Sequence, residues 1–156
     1  MSRVLITGGA GFIGANLADR LARDGCEVLV YDVLARPGVE RNLAWLQARH
    51  PERVSAVTAD VRDDDALAQA VKGVDAVFHL AAQVAVTTSL TDPLDDFTTN
   101  LKGTVGLLEA VRREGTHIPV VFASTNKVYG DLADLPMTME GGAWKPADAQ
   151  VRTSGV

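Results

Sequence analysis

The sequence has little cysteine and no long hydrophobic run, and each scarcity excludes a class of protein. Cys26 is the only cysteine among 156 residues, so neither an internal disulfide framework nor a multi-cysteine metal site is possible. The apolar run at residues 4–6 is followed by threonine and glycine and is too short for a signal peptide or a membrane span. We therefore expect a soluble, cytoplasmic domain with no membrane contact and no metal.

Positive charge is also scarce. The 15 lysines and arginines are outnumbered by 20 acidic residues, which gives a formal net charge of −5. Binding to phosphate backbones needs clustered basic side chains, and the sequence contains no basic run. Nucleic acid is therefore not an expected partner. Hydrophobic residues make up 47% of the chain, enough for a packed core and too many for a disordered protein.

Short apolar runs alternate with longer amphipathic stretches, which predicts an α/β fold. Strands alternating with helices form crossover units, so we expect a Rossmann-type, doubly wound parallel sheet in the order 3-2-1-4-5, ending after about five strands. The periodicity is lost after Tyr129, and we expect residues 133–156 to be an irregular tail of a chain that ends within a larger protein. The predicted strands are residues 3–7, 27–31, 53–58, 76–80 and 118–123, and the predicted helices are residues 12–24, 63–71 and 93–113.

The clearest local motif is TGGAGFIG at residues 7–14, which directly follows a predicted strand and opens a predicted helix. Small residues here let the backbone approach a diphosphate, and the helix amino terminus offers free N–H groups to the anion. Asp32 ends the second strand at the spacing expected for an acid that binds the adenosine ribose, which favours NAD over NADP. The alternatives are a tight packing turn for the glycines and a surface acid at Asp32.

This arrangement resembles the extended short-chain dehydrogenase/reductase superfamily of NAD-dependent nucleotide-sugar epimerases and dehydratases. Four later segments strengthen the resemblance: ADVRD at 59–63, HLAA at 79–82, N-x-x-G-T at 100–104 and STNKVYG at 124–130. The resemblance implies an NAD-binding domain over residues 1–132, a nucleotide-sugar substrate and a homo-oligomeric full-length protein. The expected cofactor-binding residues are Gly8, Gly11, Phe12, Ile13, Gly14, Asp32, Arg36, Asp60, Val61, Leu80, Ala81, Ala82 and Asn100.

Residues 83–89 follow the fourth strand, at the sheet edge where such folds bind ligands. Gln83, Thr87 and Thr88 are the candidates for hydrogen bonds to a sugar or a diphosphate, although a loop that satisfies its own backbone is an equal alternative. Arg36 either reaches the adenosine side of NAD or is a solvated loop charge. His79, at the end of an apolar strand, is interpreted as a packed histidine and not as a metal ligand.

The resemblance also implies a redox epimerisation, in which a tyrosine with a neighbouring lysine takes the hydroxyl proton and a serine or threonine assists. The assisting hydroxyl corresponds to Thr125, for which an ordinary strand-end threonine is the alternative. Neither Tyr31 nor Tyr129 is followed by lysine four residues later. We therefore expect the chain alone to be catalytically inactive.

Three segments are similar to one branch of the superfamily, the CDP-paratose 2-epimerases: residues 31–46, 79–97 and 124–132. Sugar 4,6-dehydratases carry Thr-Asp-Glu where this chain has Thr-Asn-Lys at 125–127, and an amide and an ammonium cannot perform the acid and base steps of a dehydration. Inversion at C2 of CDP-paratose is thus the favoured activity. A UDP-glucose 4-epimerase and a non-catalytic NAD-binding module are the alternatives.

Overall fold

The computed structural model describes residues 2–115, 117–124 and 133–154, and a five-stranded parallel sheet is the centre of the unit Met1–Ala123. The strand order is β3-β2-β1-β4-β5, so the predicted fold class and order are confirmed. The strands are β1 (Arg3–Thr7), β2 (Glu27–Asp32), β3 (Val54–Thr58), β4 (Ala76–His79) and β5 (Val120–Phe122). The helices of this unit are α1 (Phe12–Arg23), α2 (Val39–Arg49), α3 (Asp64–Ala70), α4 (Val86–Thr91), α5 (Pro93–Phe97) and α6 (Gly103–Arg113).

Both faces of the sheet are covered, which explains why its strands are continuously hydrophobic. Along β1, Leu5 belongs to one buried cluster, whereas Val4 and Ile6 belong to the other. The first cluster contains Leu67 from α3, and the second contains Leu46 from α2. All five side chains are at most 5% exposed. The carboxyl ends of the strands are therefore held on a rigid, two-sided core.

Helix α3 begins where the sequence predicts it. The side chain of Asp63 accepts hydrogen bonds from the backbone N–H groups of Asp65 and Ala66, which caps the amino terminus. Two further acids in the first turn suit the positive end of the helix dipole.

The predicted helix at 93–113 is divided into three parts. A π-helical turn, Thr98–Lys102, separates α5 from α6, and the extra residue in this turn changes which side chains face the sheet. Leu107 and Ala110 are buried, whereas the apolar stripe that the sequence spacing indicates stays about half exposed. That stripe consists of Phe97, Leu101, Val105, Leu108 and Val111, of which only Val111 is partly buried against the core.

Helix α4 occupies part of residues 83–89, which were expected to form a loop. Three consecutive β-branched residues at 86–88 have low intrinsic helix propensity, which explains why sequence reasoning misses this helix. The Ser89 hydroxyl lies 2.7 Å from Asp96 Oδ1 and links α4 to α5. Tertiary contact thus overrides local preference here.

The second unit, Ser124–Val156, contains regular structure where the sequence predicts an irregular tail. β6 (Met137–Glu140) pairs antiparallel with β7 (Ala143–Pro146), and α7 (Ala149–Ser154) follows. Gly141 and Gly142 have φ values of +60° and +80°, as a two-residue hairpin turn requires. The division also falls after Ala123, earlier than the expected boundary at residue 132.

Asp19, on α1, forms ion pairs with Arg23 of the same helix and with Arg49 of α2, and its Oδ1 lies 2.8 Å from Nε2 of His50 at the end of α2. Burial raises the pKa of this carboxyl, but the hydrogen bond from His50 and the two arginine charges outweigh burial and hold the pKa below its ordinary value. Its stabilising contribution is therefore present above the unfolded-state pKa and is lost as pH falls through the lowered one.

We expect the free energy of unfolding to fall as the pH drops below about 4, and we expect Asp19→Asn to remove that part of the pH dependence. Chemical denaturation at several pH values measures the free energy of unfolding of both proteins. Asp24→Asn is the control, because Asp24 pairs with Arg20 on the exposed side of the same helix and should matter little. Identical pH profiles for the wild type and Asp19→Asn would contradict the prediction.

Within the described ranges, every helix is too short or too polar to cross a membrane. The same residues contain no group of three or more histidine, cysteine or acidic side chains arranged to hold a metal ion.

Candidate functional site

The glycine loop between β1 and α1 is packed so closely that Gly8 and Gly14 have no room for a side chain. A Cβ on Gly14 would lie 2.3 Å from the carbonyl oxygen of Gly8 and 2.6 Å from Cα of Gly9. Gly8 has a φ of +68°, and a Cβ there would meet the backbone nitrogen of Ala81 at 2.7 Å. The loop therefore lies directly against the turn that follows β4.

Helix α1 begins in this loop without a side-chain cap. Gly11 is its N-cap residue and supplies no capping hydrogen bond, so the first-turn N–H groups are left for another acceptor. The side chains of Phe12 and Ile13 are 83% and 66% exposed at the same helix end. Such an amino terminus suits an anion, because the N–H groups and the helix dipole act in the same direction.

Asp32, at the end of β2, lies beside the glycine loop. Its Oδ2 accepts a hydrogen bond from the backbone N–H of Ala10 at 3.0 Å, and its Oδ1 accepts one from Leu34 at 2.9 Å. Leu34 has a φ of +56°, an unusual conformation for leucine that places its N–H on the carboxylate. Each carboxylate oxygen can still accept a second hydrogen bond. Arg36 is exposed two residues beyond Leu34.

Asn42, on α2, also supports the glycine loop, and sequence reasoning missed it. Its side-chain Nδ2 donates to the carbonyl of Ala10 at 2.9 Å. The Ala10 peptide is therefore held by Asp32 on its N–H and by Asn42 on its carbonyl. No local pattern marks this asparagine, because its partner lies 32 residues away in the sequence.

The segment after β3 is fixed from two sides. The Tyr31 hydroxyl donates to the carbonyl of Asp60 at 2.7 Å, and burial raises the pKa of this phenol to about 12, so it stays protonated. The Asp60 carboxylate accepts hydrogen bonds from Arg62, which also lower the pKa of Asp60. Val61 is buried, and a Cβ on Gly103 would be only 3.0 Å from it. This segment is thus rigid, and the Asp60 carboxylate is already paired.

The turn after β4 is bonded to β1. The backbone N–H of Leu80 donates to the carbonyl of Thr7 at 3.0 Å, and that of Ala81 donates to the Thr7 hydroxyl at 3.3 Å. Ala82, the next residue, is exposed. The sequence predicted these three residues at the cofactor, and the structure brings them to the same edge of the sheet as the glycine loop.

Asn100 holds the backbone of Gln83 by two hydrogen bonds. Its Oδ1 accepts from the Gln83 N–H at 2.8 Å, and its Nδ2 donates to the Gln83 carbonyl at 3.0 Å. Nδ2 also lies 3.1 Å from Asp96 Oδ1. Asn100 was predicted as a cofactor-binding residue, and in the structure its amide positions the neighbouring turn. Thr87 and Thr88 are exposed on α4, and Thr125 lies outside the described residues.

A family model described as GDP-mannose 4,6 dehydratase matches residues 5–148, nearly the whole chain. The chain belongs to this family. Similar members are nucleotide-sugar epimerases and dehydratases, and the family is NAD-dependent. The resemblance drawn from the motifs is therefore confirmed.

Three members of the family illustrate the similarity. The CDP-paratose 2-epimerase of Salmonella typhi is 42% identical over 132 residues, which cover 83% of this chain and 38% of the relative. A UDP-glucose-4-epimerase structure from Stenotrophomonas maltophila with bound NAD and formylated UDP-arabinopyranose has a TM-score of 0.77 at 32% identity, covering 85% of this chain and 40% of that one. The structure of DesIV, a dTDP-glucose 4,6-dehydratase from Streptomyces venezuelae with NAD and TYD bound, has a TM-score of 0.77 at 36% identity. The match covers 92% of this chain and 45% of DesIV. The chain thus spans about two fifths of the length of these family members.

Proposed function

We propose that the protein binds NAD along the edge of the sheet formed by the glycine loop, Asp32 and the turn after β4. The observation that carries this proposal is the hydrogen bond between Asp32 and Ala10, which holds the acid proposed to bind the ribose beside the glycine loop. The diphosphate would lie close to Gly8 and Gly11 and against the uncapped first turn of α1, where Phe12 and Ile13 supply N–H groups. The adenosine ribose hydroxyls would donate to Asp32.

The same carboxylate favours NAD over NADP. A 2′-phosphate would place a second negative group beside Asp32, and like charges at this distance repel each other. Arg36 is exposed in the segment that follows, and we assign it to the adenosine side of the cofactor. Asp60 and Val61 would lie beside the adenine. The Asp60 carboxylate is already paired with Arg62, so this segment would contact the adenine by packing and not through that carboxylate.

The proposed reaction is the epimerisation of a nucleotide sugar, with C2 of CDP-paratose as the favoured centre. When bound, NAD would supply reversible hydride transfer, and the hydroxyl proton would pass to the tyrosine of a Tyr-x-x-x-Lys pair, which this sequence does not contain. Thr125 is proposed to hydrogen-bond the reacting hydroxyl, and Gln83, Thr87 and Thr88 are proposed to contact the substrate. The similarity to the Salmonella typhi enzyme supports this choice. The Asn-Lys pair at 126–127 argues against dehydration, since neither side chain can replace an acid and a base.

Titration calorimetry with NAD and NADP tests the cofactor proposal. We expect NAD to bind and NADP to bind at least about tenfold more weakly, because the carboxylate loses the hydrogen bond from the 2′-hydroxyl and is repelled by the 2′-phosphate. Equal binding of the two cofactors would contradict the role given to Asp32. Absence of any NAD binding by a folded chain would overturn the proposal as a whole.

The stereochemistry of the products tests the reaction. Protein from the whole gene is incubated with NAD and either CDP-paratose or UDP-glucose, and we expect inversion at C2 of the former. Inversion only at C4 of UDP-glucose would favour the 4-epimerase alternative. NAD binding without turnover of either sugar would favour a non-catalytic module. For the present chain alone we expect binding without turnover, because no Tyr-x-x-x-Lys occurs in its sequence.

A further inference from the structure

A buried series of hydrogen bonds connects the glycine loop to the π-helical turn through His79. The imidazole is 2% exposed and lies between two hydroxyl groups. Its Nδ1 is 2.6 Å from Thr7 Oγ1, and its Nε2 is 3.0 Å from Thr104 Oγ1. The proposed function assigns no role to His79, and such buried polar groups are costly unless they are fully paired.

The hydrogen bonds can run in only one direction. The Thr104 hydroxyl lies 2.6 Å from the carbonyl oxygen of Asn100, which can only accept. The hydroxyl therefore donates its one hydrogen to that carbonyl. Thr104 must therefore accept from His79, which carries its proton on Nε2. Nδ1 is then an acceptor for the Thr7 hydroxyl, whose oxygen in turn accepts from the N–H of Ala81.

Both ends of this series lead to the same short turn. At one end is Ala81 itself, and at the other is Asn100, whose side chain holds the backbone of Gln83. The Thr104 hydroxyl donates to the backbone carbonyl of Asn100, the same residue whose side chain bonds both backbone groups of Gln83. Burial lowers the pKa of His79 and so favours the neutral ring that this arrangement requires.

We propose that His79 is a positioning residue which, as the neutral Nε2–H tautomer between Thr7 and Thr104, fixes the turn at residues 81–83 and thereby sets the affinity for the dinucleotide. The inference rests on the proposed function, because the turn adjoins the loop assigned to the diphosphate. If the turn is already in its binding conformation before the ligand arrives, less conformational entropy is lost on binding and the affinity is higher. Thr104 affects the ligand only through His79 and Asn100.

The test compares Thr104→Val with Thr104→Ser. Serine retains the hydroxyl, whereas valine has nearly the same shape and cannot accept from Nε2–H. In the valine variant we expect the proton of His79 to move to Nδ1, where the Thr7 oxygen can accept it. The ¹⁵N chemical shifts of the imidazole nitrogens distinguish the two tautomers, and a residue that only fills space would not change them.

We expect Thr104→Val to weaken NAD binding about fivefold to tenfold in calorimetry, and Thr104→Ser to bind like the wild type. If Thr104→Val fails to fold, Thr104→Ala removes the same hydroxyl and favours the helix. In either case the wild-type spectrum alone tests the tautomer.

Two results would overturn the inference while leaving the proposed function intact. One is wild-type NAD affinity in a folded variant that lacks the hydroxyl, and the other is an Nδ1–H or charged His79 in the wild type. A wild type that binds no NAD would refute the proposed function, and the role of His79 in cofactor affinity would fall with it.

Discussion

Replacing Asp32 with alanine is expected to weaken NAD binding by at least about tenfold. A hydrogen bond to a charged group contributes about 1.5–3 kcal/mol, and tenfold in affinity corresponds to about 1.4 kcal/mol. The substitution removes the acceptor for the ribose and also releases the N–H groups of Ala10 and Leu34. Titration calorimetry with NAD measures the loss, and thermal melting establishes that the variant is folded.

Asp32→Asn is the matched control for this variant. Its amide keeps one acceptor oxygen and the shape of the side chain but carries no charge, so we expect an affinity between those of the wild type and the alanine variant. We also expect its preference for NAD over NADP to shrink, because the repulsion of a 2′-phosphate is gone. A folded Asp32→Ala protein that binds NAD like the wild type would show that the ribose is held elsewhere.

Gly14→Ala should both destabilise the fold and abolish NAD binding. The added methyl group would lie 2.3 Å from the Gly8 carbonyl oxygen and 2.6 Å from Cα of Gly9, and backbone atoms cannot rotate away as a flexible side chain can. Overpacking of this kind costs about 1–3 kcal/mol, and the loop must move from the position that it needs for the diphosphate. The melting temperature and calorimetry with NAD measure the two effects separately.

Gly11→Ala provides a graded comparison in the same loop. A Cβ there would lie 3.2 Å from the Gly8 carbonyl oxygen, a contact that a shift of a few tenths of an ångström relieves. We expect this variant to lose less stability and less affinity than Gly14→Ala. The steric explanation is refuted if Gly11→Ala proves the more damaging of the two.

The strands could be predicted because the parallel sheet is buried on both faces. Strands β1, β2 and β4 are short apolar runs bounded by glycine or charge, and a run of that length between helical stretches has few other interpretations. The start of α3 was also predictable, since Asp63 caps the helix with its own side chain. Local chemistry decides these features, so the local sequence reveals them.

Two of the features that were missed involve side-chain contacts that a hydrophobic pattern does not record. Helix α4 forms against its sequence preference, and its Ser89 hydroxyl contacts Asp96 seven residues later. In the π-helical turn, the carbonyl of Asn100 accepts from the Thr104 hydroxyl four residues later. The hairpin in the second unit was within reach of sequence reasoning, because adjacent Gly141 and Gly142 are a recognised two-residue turn signal. Few apolar residues flank these glycines, however, so the sequence pattern predicts no strands on either side of the turn.

The candidate site shows the same division. The glycine spacing and Asp32 led to the proposed cofactor edge, whereas Asn42 carries no motif that distinguishes it from a surface polar residue. Thr104 belongs to the N-x-x-G-T segment, but that motif does not reveal which groups its hydroxyl contacts. His79 was correctly interpreted as packed. Its two hydrogen-bond partners lie 72 and 25 residues away, so its tautomer could not be inferred before the fold was known.

The central place of β1 in the sheet also affects how the protein is made. One neighbour of β1 is β2, but the other is β4, and Val4 pairs with Ala76. At translation rates of about 5–20 residues per second, the ribosome needs roughly 4–14 s to synthesise the intervening segment. During that time the nascent polypeptide carries an apolar strand with one open edge, which is the kind of surface that chaperones shield.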